Sequence, residues 1–465
     1  MTLRTSKIET LTLLHVVVMG VLATWFLGGG SYSARLTLCV IGSLAPALLL
    51  AGLIDRRARG EPFFRSLLPL IPWFGFNIIV LLGLLHPSFR RATVEGITVF
   101  IPNATAGGWP ESARPDLAVL ELWLLNALIL TPFNLLINVR HRSTLHTLFF
   151  ILAVNALILA VFGSFQKFVD ASGLFFGAVA SPNTTFFSSF IYHNHWGAFV
   201  VLSLSICLGL LFSLRPWSGS RDFWHSPALA AVVAIFLLAL AVPLSGARAC
   251  TFLAALLLAA GFMQGLRRIT SYQKDRGRSV IGPGFLVALT LLAVLTSTYF
   301  LAREVIETRL ADTRAQLSEV RDTGSIGSRG VLYSDTWRMA LDKPWFGWGL
   351  GSYATVFRSY NSQIGGEGLP HFYEYAHSDW LQLFAETGVV GTAFYLTFLI
   401  LVLQPLRRWH GNNELPAYLL LGCGLIALYA CIEFPFGNPA VTLIFWTCLM
   451  GSVRWVKLTA TSLHR

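Results

Sequence analysis

Four short stretches of this chain hold residue types that could do chemistry. The first is Ala376–Gly391, where His377 ends a long polar stretch and stands directly before an apolar run of membrane-spanning length. An imidazole at a water–membrane boundary can take a proton from a substrate anchored in lipid. A helix N-terminus there favours anions and disfavours imidazolium, which keeps the ring in its basic form. The second is Ser245–Cys250, with Arg248 at the start of another apolar run. Its guanidinium fork suits phosphate or carboxylate in bidentate fashion. In the third, Arg329 leads Tyr333 and Trp337 at four-residue steps on one helix face. The fourth is Phe190–Trp196, where His193 and His195 flank Asn194 and could hold a sugar or a phosphate. Each has a simpler alternative: an interfacial histidine on a loop carbonyl, an arginine snorkelling to lipid headgroups, or an aromatic belt. Glu433, just before Pro435, reads as a pairing partner for a basic residue.

The absent motifs narrow the chemistry. There is no Asp-x-Asp to hold a metal-bound sugar nucleotide, no Walker A, no HExxH and no GxSxG. No metal site or cofactor is expected. The six cysteines fall in or beside apolar runs, form no CxxC pair, and read as small packing residues.

The elements that must position these residues are membrane helices. Of 465 residues 55% are hydrophobic and 12% charged, against about 25% charged in soluble domains. Mean hydropathy is +0.63. Apolar segments of spanning length, or close to it, fall near 12–28, 35–54, 67–86, 117–137, 145–165, 192–214, 227–243, 249–266, 281–302, 378–404, 416–434 and 438–456. The expected fold is an all-α polytopic bundle of about twelve transmembrane helices, with a large loop between helices 9 and 10. Helices 1–9 occupy 1–302, the loop 303–376 and helices 10–12 377–465. The first segment follows Arg4 and Lys7 and has some features of a signal peptide, but it is long for one. Most of the 34 Lys and Arg fall on one set of connectors, which puts both termini in the cytoplasm and 303–376 outside. The net charge of +11 is therefore read as loop anchoring at anionic lipid; no basic run interleaved with stacking aromatics points to nucleic acid.

The loop has its own order. Ile306, Leu310, Leu317 and Val320 recur at helical spacing in Arg303–Asp322, an amphipathic stretch for the membrane or the bundle. Gly324–Ser328 breaks it. A second helix is expected from Gly330 to Leu341, stopped before Pro344. Trp345–Gly351 then reads as a re-entrant or interfacial turn.

On these residues the chain resembles the O-antigen ligase and polymerase superfamily of bacterial inner-membrane glycosyltransferases. His377-Ser378, Gly388 and Gly391 fit the ligase signature H-[NSQ]-x9-G-x2-[GTY] at every defined position. Arg329 with Trp337, Pro344, Gly347, Gly349 and Gly351 looks like the family's Arg-to-Gly-x-Gly approach to it. Ser245–Arg248 resembles the family's Ser-x-Ser-Arg-Gly segment, with Ala247 and Ala249 departing from it, and Phe190–Trp196 resembles its Asn-containing helix start.

The resemblance implies glycan transfer from an undecaprenyl-diphosphate carrier to an acceptor glycolipid or glycan, in membrane lipid and without a metal. It implies His377 as general base or acceptor-orienting group, Arg248 and Arg329 on the diphosphate, and His195, Asn194 and Arg338 on substrate. A ligase is the favoured reading. The alternatives are a polymerase extending carrier-linked repeats, a protein O-oligosaccharyltransferase, or a lipid-linked glycan transporter. A transporter would be expected to show internal repeats and midplane ionisable residues.

Overall fold

The computed structural model describes residues 6–103, 108–214, 227–275, 327–363, 372–409 and 413–463, with isolated positions between 277 and 307 and Gly411. Among these residues ten helices are long and apolar enough to cross a membrane. They are Lys7–Trp25 (α1), Tyr32–Ala58 (α2), Phe64–Leu84 (α3), Pro115–Asn138 (α4), Arg142–Phe168 (α5), His193–Ser213 (α6), Pro227–Ser245 (α7), Arg248–Asp275 (α8), Asp379–Arg407 (here α10) and Pro439–Ala460 (α12). Between α8 and α10 stands Gly327–Asp342 (α9), and between α10 and α12 the shorter apolar helix Glu414–Tyr429 (α11). The protein is an all-α polytopic membrane protein. Eleven of the apolar segments read from the sequence are helices here. The remaining one, 281–302, and the amphipathic stretch 303–322 lie outside the described residues except at isolated positions.

Burial sorts the helices. Of the apolar window of α6 and of α12, 89% is buried, against 22% for α8 and α10. The first two are therefore the inner staves and the others face lipid. Large apolar side chains such as Leu50, Ile54, Ile71, Phe74 and Ile158 stand exposed on the outer helices, as a lipid-facing surface requires.

Polar side chains inside the bundle pair with one another. Trp73 Nε1 donates to Asn126 Oδ1 (2.8 Å), whose amide donates to Asn77 Oδ1 (2.6 Å). Trp25 Nε1 donates to Asn155 Oδ1 (2.9 Å), whose amide donates to Thr24 (3.0 Å). Such bonds fix helix rotation where apolar packing alone would let neighbours slide.

A stronger strut ties α1 to α5. The Glu9 carboxylate is fully buried. It accepts from Arg140 N (3.0 Å), His141 N (3.0 Å), His141 Nδ1 (3.0 Å) and Thr144 Oγ1 (2.7 Å), and so caps the start of α5. Glu9→Ala should lower stability by about 3 kcal/mol, because several buried donors lose their acceptor together. Thermal unfolding in detergent reads this directly. An unchanged midpoint would show that the strut contributes nothing.

The sequence reading passed over one element. Phe89–Val94 (β1) and Ile97–Pro102 (β2) form an antiparallel hairpin with Val94 opposite Ile97. Glu95 (φ 51°) and Gly96 (φ 79°) make its turn, the doubly left-handed geometry that two-residue hairpins favour. The Arg114 guanidinium lies 4.3 Å from the Phe100 ring and ties the hairpin to the start of α4.

Candidate active site

The ends of α6, α9, α10 and α11 meet at one side of the bundle, and Glu433 is the point where they join. It lies in the turn between α11 and α12, with its side chain 3% exposed. His377 Nδ1 donates to Glu433 Oε1 (2.6 Å). Arg329 Nη2 (2.9 Å) and Asn194 Nδ2 (3.0 Å) donate to Glu433 Oε2. Arg329 Nη1 also donates to the Ile432 carbonyl (3.0 Å). Three residues from three separate segments thus converge on one carboxylate. Burial raises the Glu433 pKa, but the His377 hydrogen bond and the Arg329 charge outweigh it and hold the group below its ordinary value. Burial likewise pulls the Arg329 guanidinium down, and the Glu433 charge more than offsets this.

The carboxylate settles which nitrogen of His377 carries the proton. Nδ1 must donate to an acceptor-only partner, so Nε2 is left with its lone pair. The ring is one quarter exposed. Its backbone is held in a left-handed conformation (φ 50°), uncommon for a residue with a side chain. Tyr333 Oη donates to the His377 carbonyl (2.9 Å), and Ser378 caps α10 by accepting from Leu381 N (3.4 Å). Strain of this kind persists only where the surroundings enforce it, and it gathers at functional sites.

Phe434 forms the floor. Tyr375 and Tyr192 stack on it at 4.4 and 5.5 Å, each 9° from parallel. His377 and His195 meet it edge-on at 4.8 and 5.0 Å. Asp379 braces the turn from below: its Oδ2 accepts from Phe436 N (2.7 Å), and its own N–H donates to Ala430 O (2.9 Å).

The two signature glycines do different work. Inside α10, Gly388 breaks the helix with φ 62° and ψ −169°. The Pro344–Gly351 loop docks into that break. Trp348 N donates to Ala385 O (3.1 Å), Gly349 N to Glu386 O (2.8 Å), Val389 N to Pro344 O (2.8 Å) and Val390 N to Trp345 O (3.0 Å). The Glu386 carboxylate reaches back to accept from Gly351 N (3.0 Å) and Tyr353 N (3.1 Å). The turn read from Trp345–Gly351 is therefore a backbone splice that locks α9 to α10. Gly391 lies beyond it, packed on Thr387.

Of the residues singled out in the sequence, His377, Arg329 and Asn194 come together on Glu433. His195 is next to them, but its Nε2 is engaged with the Phe434 carbonyl (3.2 Å). Arg248 is exposed at the first residue of α8, and two residues on Cys250 Sγ lies 3.8 Å from Asn194 O. Arg338 is nine residues beyond Arg329 and so points from the opposite side of α9. It pairs with Asp335, which also accepts from Ser362. The sequence pointed to a basic partner for Glu433 but not to its contact with His377. The roles of Tyr333, Tyr375 and Phe434 were not foreseen. Among the described residues no three His, Cys, Asp or Glu side chains gather where they could hold a metal ion.

A multi-pass helical membrane protein with a histidine–carboxylate pair and an arginine at one end of its bundle has the makings of a membrane-embedded transferase. Residues 233–396 match the family model described as O-Antigen ligase, a span that contains Arg248, Arg329, His377 and the Gly388 splice. The chain belongs to the O-antigen ligase superfamily by this segment, and the match supports glycan transfer of the ligase or polymerase type. No curated protein matches the chain.

Proposed function

We propose that this protein transfers a glycan from an undecaprenyl-diphosphate carrier to an acceptor hydroxyl on a lipid A-core glycolipid. The reaction takes place at the outer face of the bacterial inner membrane, with both termini on the cytoplasmic side. The observation that carries the reading is the His377–Glu433 pair beside Arg329, in a chain whose central segment matches the ligase family.

The chemistry follows from the geometry. The acceptor O–H loses its proton to His377 Nε2, and its oxygen attacks the anomeric carbon of the carrier-linked sugar. The bond from that carbon to the diphosphate oxygen breaks, and the electron pair leaves with the diphosphate. Glu433 stabilises the imidazolium that forms. Arg329 is half exposed and keeps donors beyond the two that it gives to the turn, so its outer edge can meet the growing charge on the leaving group. Arg248, at the exposed start of α8, supplies a second cation.

Purified protein, undecaprenyl-diphosphate glycan and lipid A-core acceptor, followed by gel and mass analysis, test the reading. Glycan linked to the core is the expected product. Longer carrier-linked glycans without core transfer would make the protein a polymerase. No new glycosidic bond in either mixture would overturn transfer altogether.

A further inference from the structure

A polar cavity of about 760 Å³ opens at the end of the bundle opposite His377. The direction of the helices places it there. α6 begins at His193 beside the site and ends at Ser213 on the cavity wall. α11 runs the other way, from Glu414 on the wall to Tyr429 below the Glu433 turn. Three arginines, Arg142, Arg267 and Arg268, face two carboxylates, Asp275 and Glu414. Arg268 and Glu414 satisfy each other (3.0 Å), and Gln264 also donates to Glu414 (2.8 Å). That leaves Arg142 and Arg267 against Asp275, an excess of one positive charge. On the same wall stands Trp455, whose indole Nε1 is buried with no hydrogen-bond partner.

The ends of spanning helices lie at the depth of lipid headgroups, and basic pockets between helices there take anionic headgroups. The volume is in the range of small-ligand sites, too large for a single water or ion. Guanidinium forks match phosphate oxygens, and an interfacial tryptophan has an indole N–H to give. We propose that this cavity binds the phosphate-bearing headgroup of an anionic phospholipid, with Arg142 and Arg267 on the phosphate and Trp455 donating to a headgroup oxygen.

The test uses the full chain, delipidated in detergent. It is titrated separately with phosphatidylglycerol, phosphatidylethanolamine and inorganic phosphate, with bound species counted by native mass spectrometry. Phosphatidylglycerol should bind about tenfold or more tighter than phosphatidylethanolamine, as expected for two arginines near a phosphate. The double variant Arg142→Gln/Arg267→Gln should lose that preference. Arg142→Lys/Arg267→Lys, which keeps the charge, should retain most of it, and this separates loss of the site from loss of the fold. Equal binding of the two lipids by the unaltered protein would overturn the proposal, as would a Gln double variant that keeps the preference. Occupancy by inorganic phosphate with no lipid retained would assign the cavity to a soluble phosphate and overturn the lipid assignment.

Discussion

His377→Ala should lower glycan transfer by about 10²–10⁴-fold, the usual contribution of a positioned general base, while the protein still purifies as a folded bundle. Folding should survive because the ring sits at the rim, one quarter exposed, and its main role is to present Nε2. Removing it leaves Glu433 with Arg329 and Asn194, so the carboxylate is not stranded. Full activity in the variant would remove His377 from the chemistry.

The companion variant, Glu433→Gln, keeps the shape and removes the charge. It should cost about 10²-fold or more, because the carboxylate both fixes the imidazole tautomer and stabilises imidazolium. It also carries a pH signature. The folded protein holds the Glu433 pKa below its ordinary value of 4.5, so the unfolded chain binds that proton more readily. The corresponding stability is fully present above about pH 4.5 and is lost as pH falls through the folded-state value. The Gln variant should be less stable at neutral pH and should lose this part of the acid limb. An unaltered stability–pH curve would mean that the ion pair does not stabilise the fold.

The membrane bundle and His377 were legible because both are written in one dimension. Spanning length and apolarity need only a window, and His377 stands at the start of such a window in a recognised spacing. Arg329 and Asn194 were legible as chemistry-bearing residues at segment starts. What joins them was not, because Glu433 lies 239 residues from Asn194 in the chain. Only the packing of α6 beside α11 brings the two together. Arg338 shows the converse: an arginine on the right helix points from the wrong side, nine residues on and half a turn round. The hairpin at 89–102 was hidden for a different reason. Its strands are short and half exposed, and the turn at Glu95-Gly96 lacks the Asn-Gly or Asp-Gly pair that marks such turns most strongly.

The glycine spacing was recognised as a pattern, and the structure supplies its physical cause, which makes the second large prediction. Gly388→Ala should destabilise the protein by at least about 3 kcal/mol and abolish transfer with it. Two penalties combine. At φ 62° and ψ −169° the backbone sits in a region essentially reserved for glycine, a cost of about 1–3 kcal/mol for any other residue. A Cβ there would also lie 2.4 Å from the Trp345 carbonyl carbon and 2.5 Å from Phe346 N, backbone atoms that cannot rotate aside. The splice would have to open and release α9, which carries Arg329, from α10, which carries His377. Gly347→Ala should behave alike, since its Cβ would meet the Glu386 carbonyl carbon at 2.3 Å from the other side of the same joint. Gly391→Ala should be milder, because its nearest neighbour is the Thr387 side chain, which can turn away. Gly424→Ala is the control: a Cβ there meets nothing within 4 Å, and alanine in a helix interior is worth about 0.5–1 kcal/mol over glycine. Unfolding midpoints in detergent should therefore fall steeply for Gly388 and Gly347, modestly for Gly391, and hold or rise for Gly424. A Gly388→Ala protein with an undiminished midpoint would show that the break in α10 is not what the ligase spacing preserves.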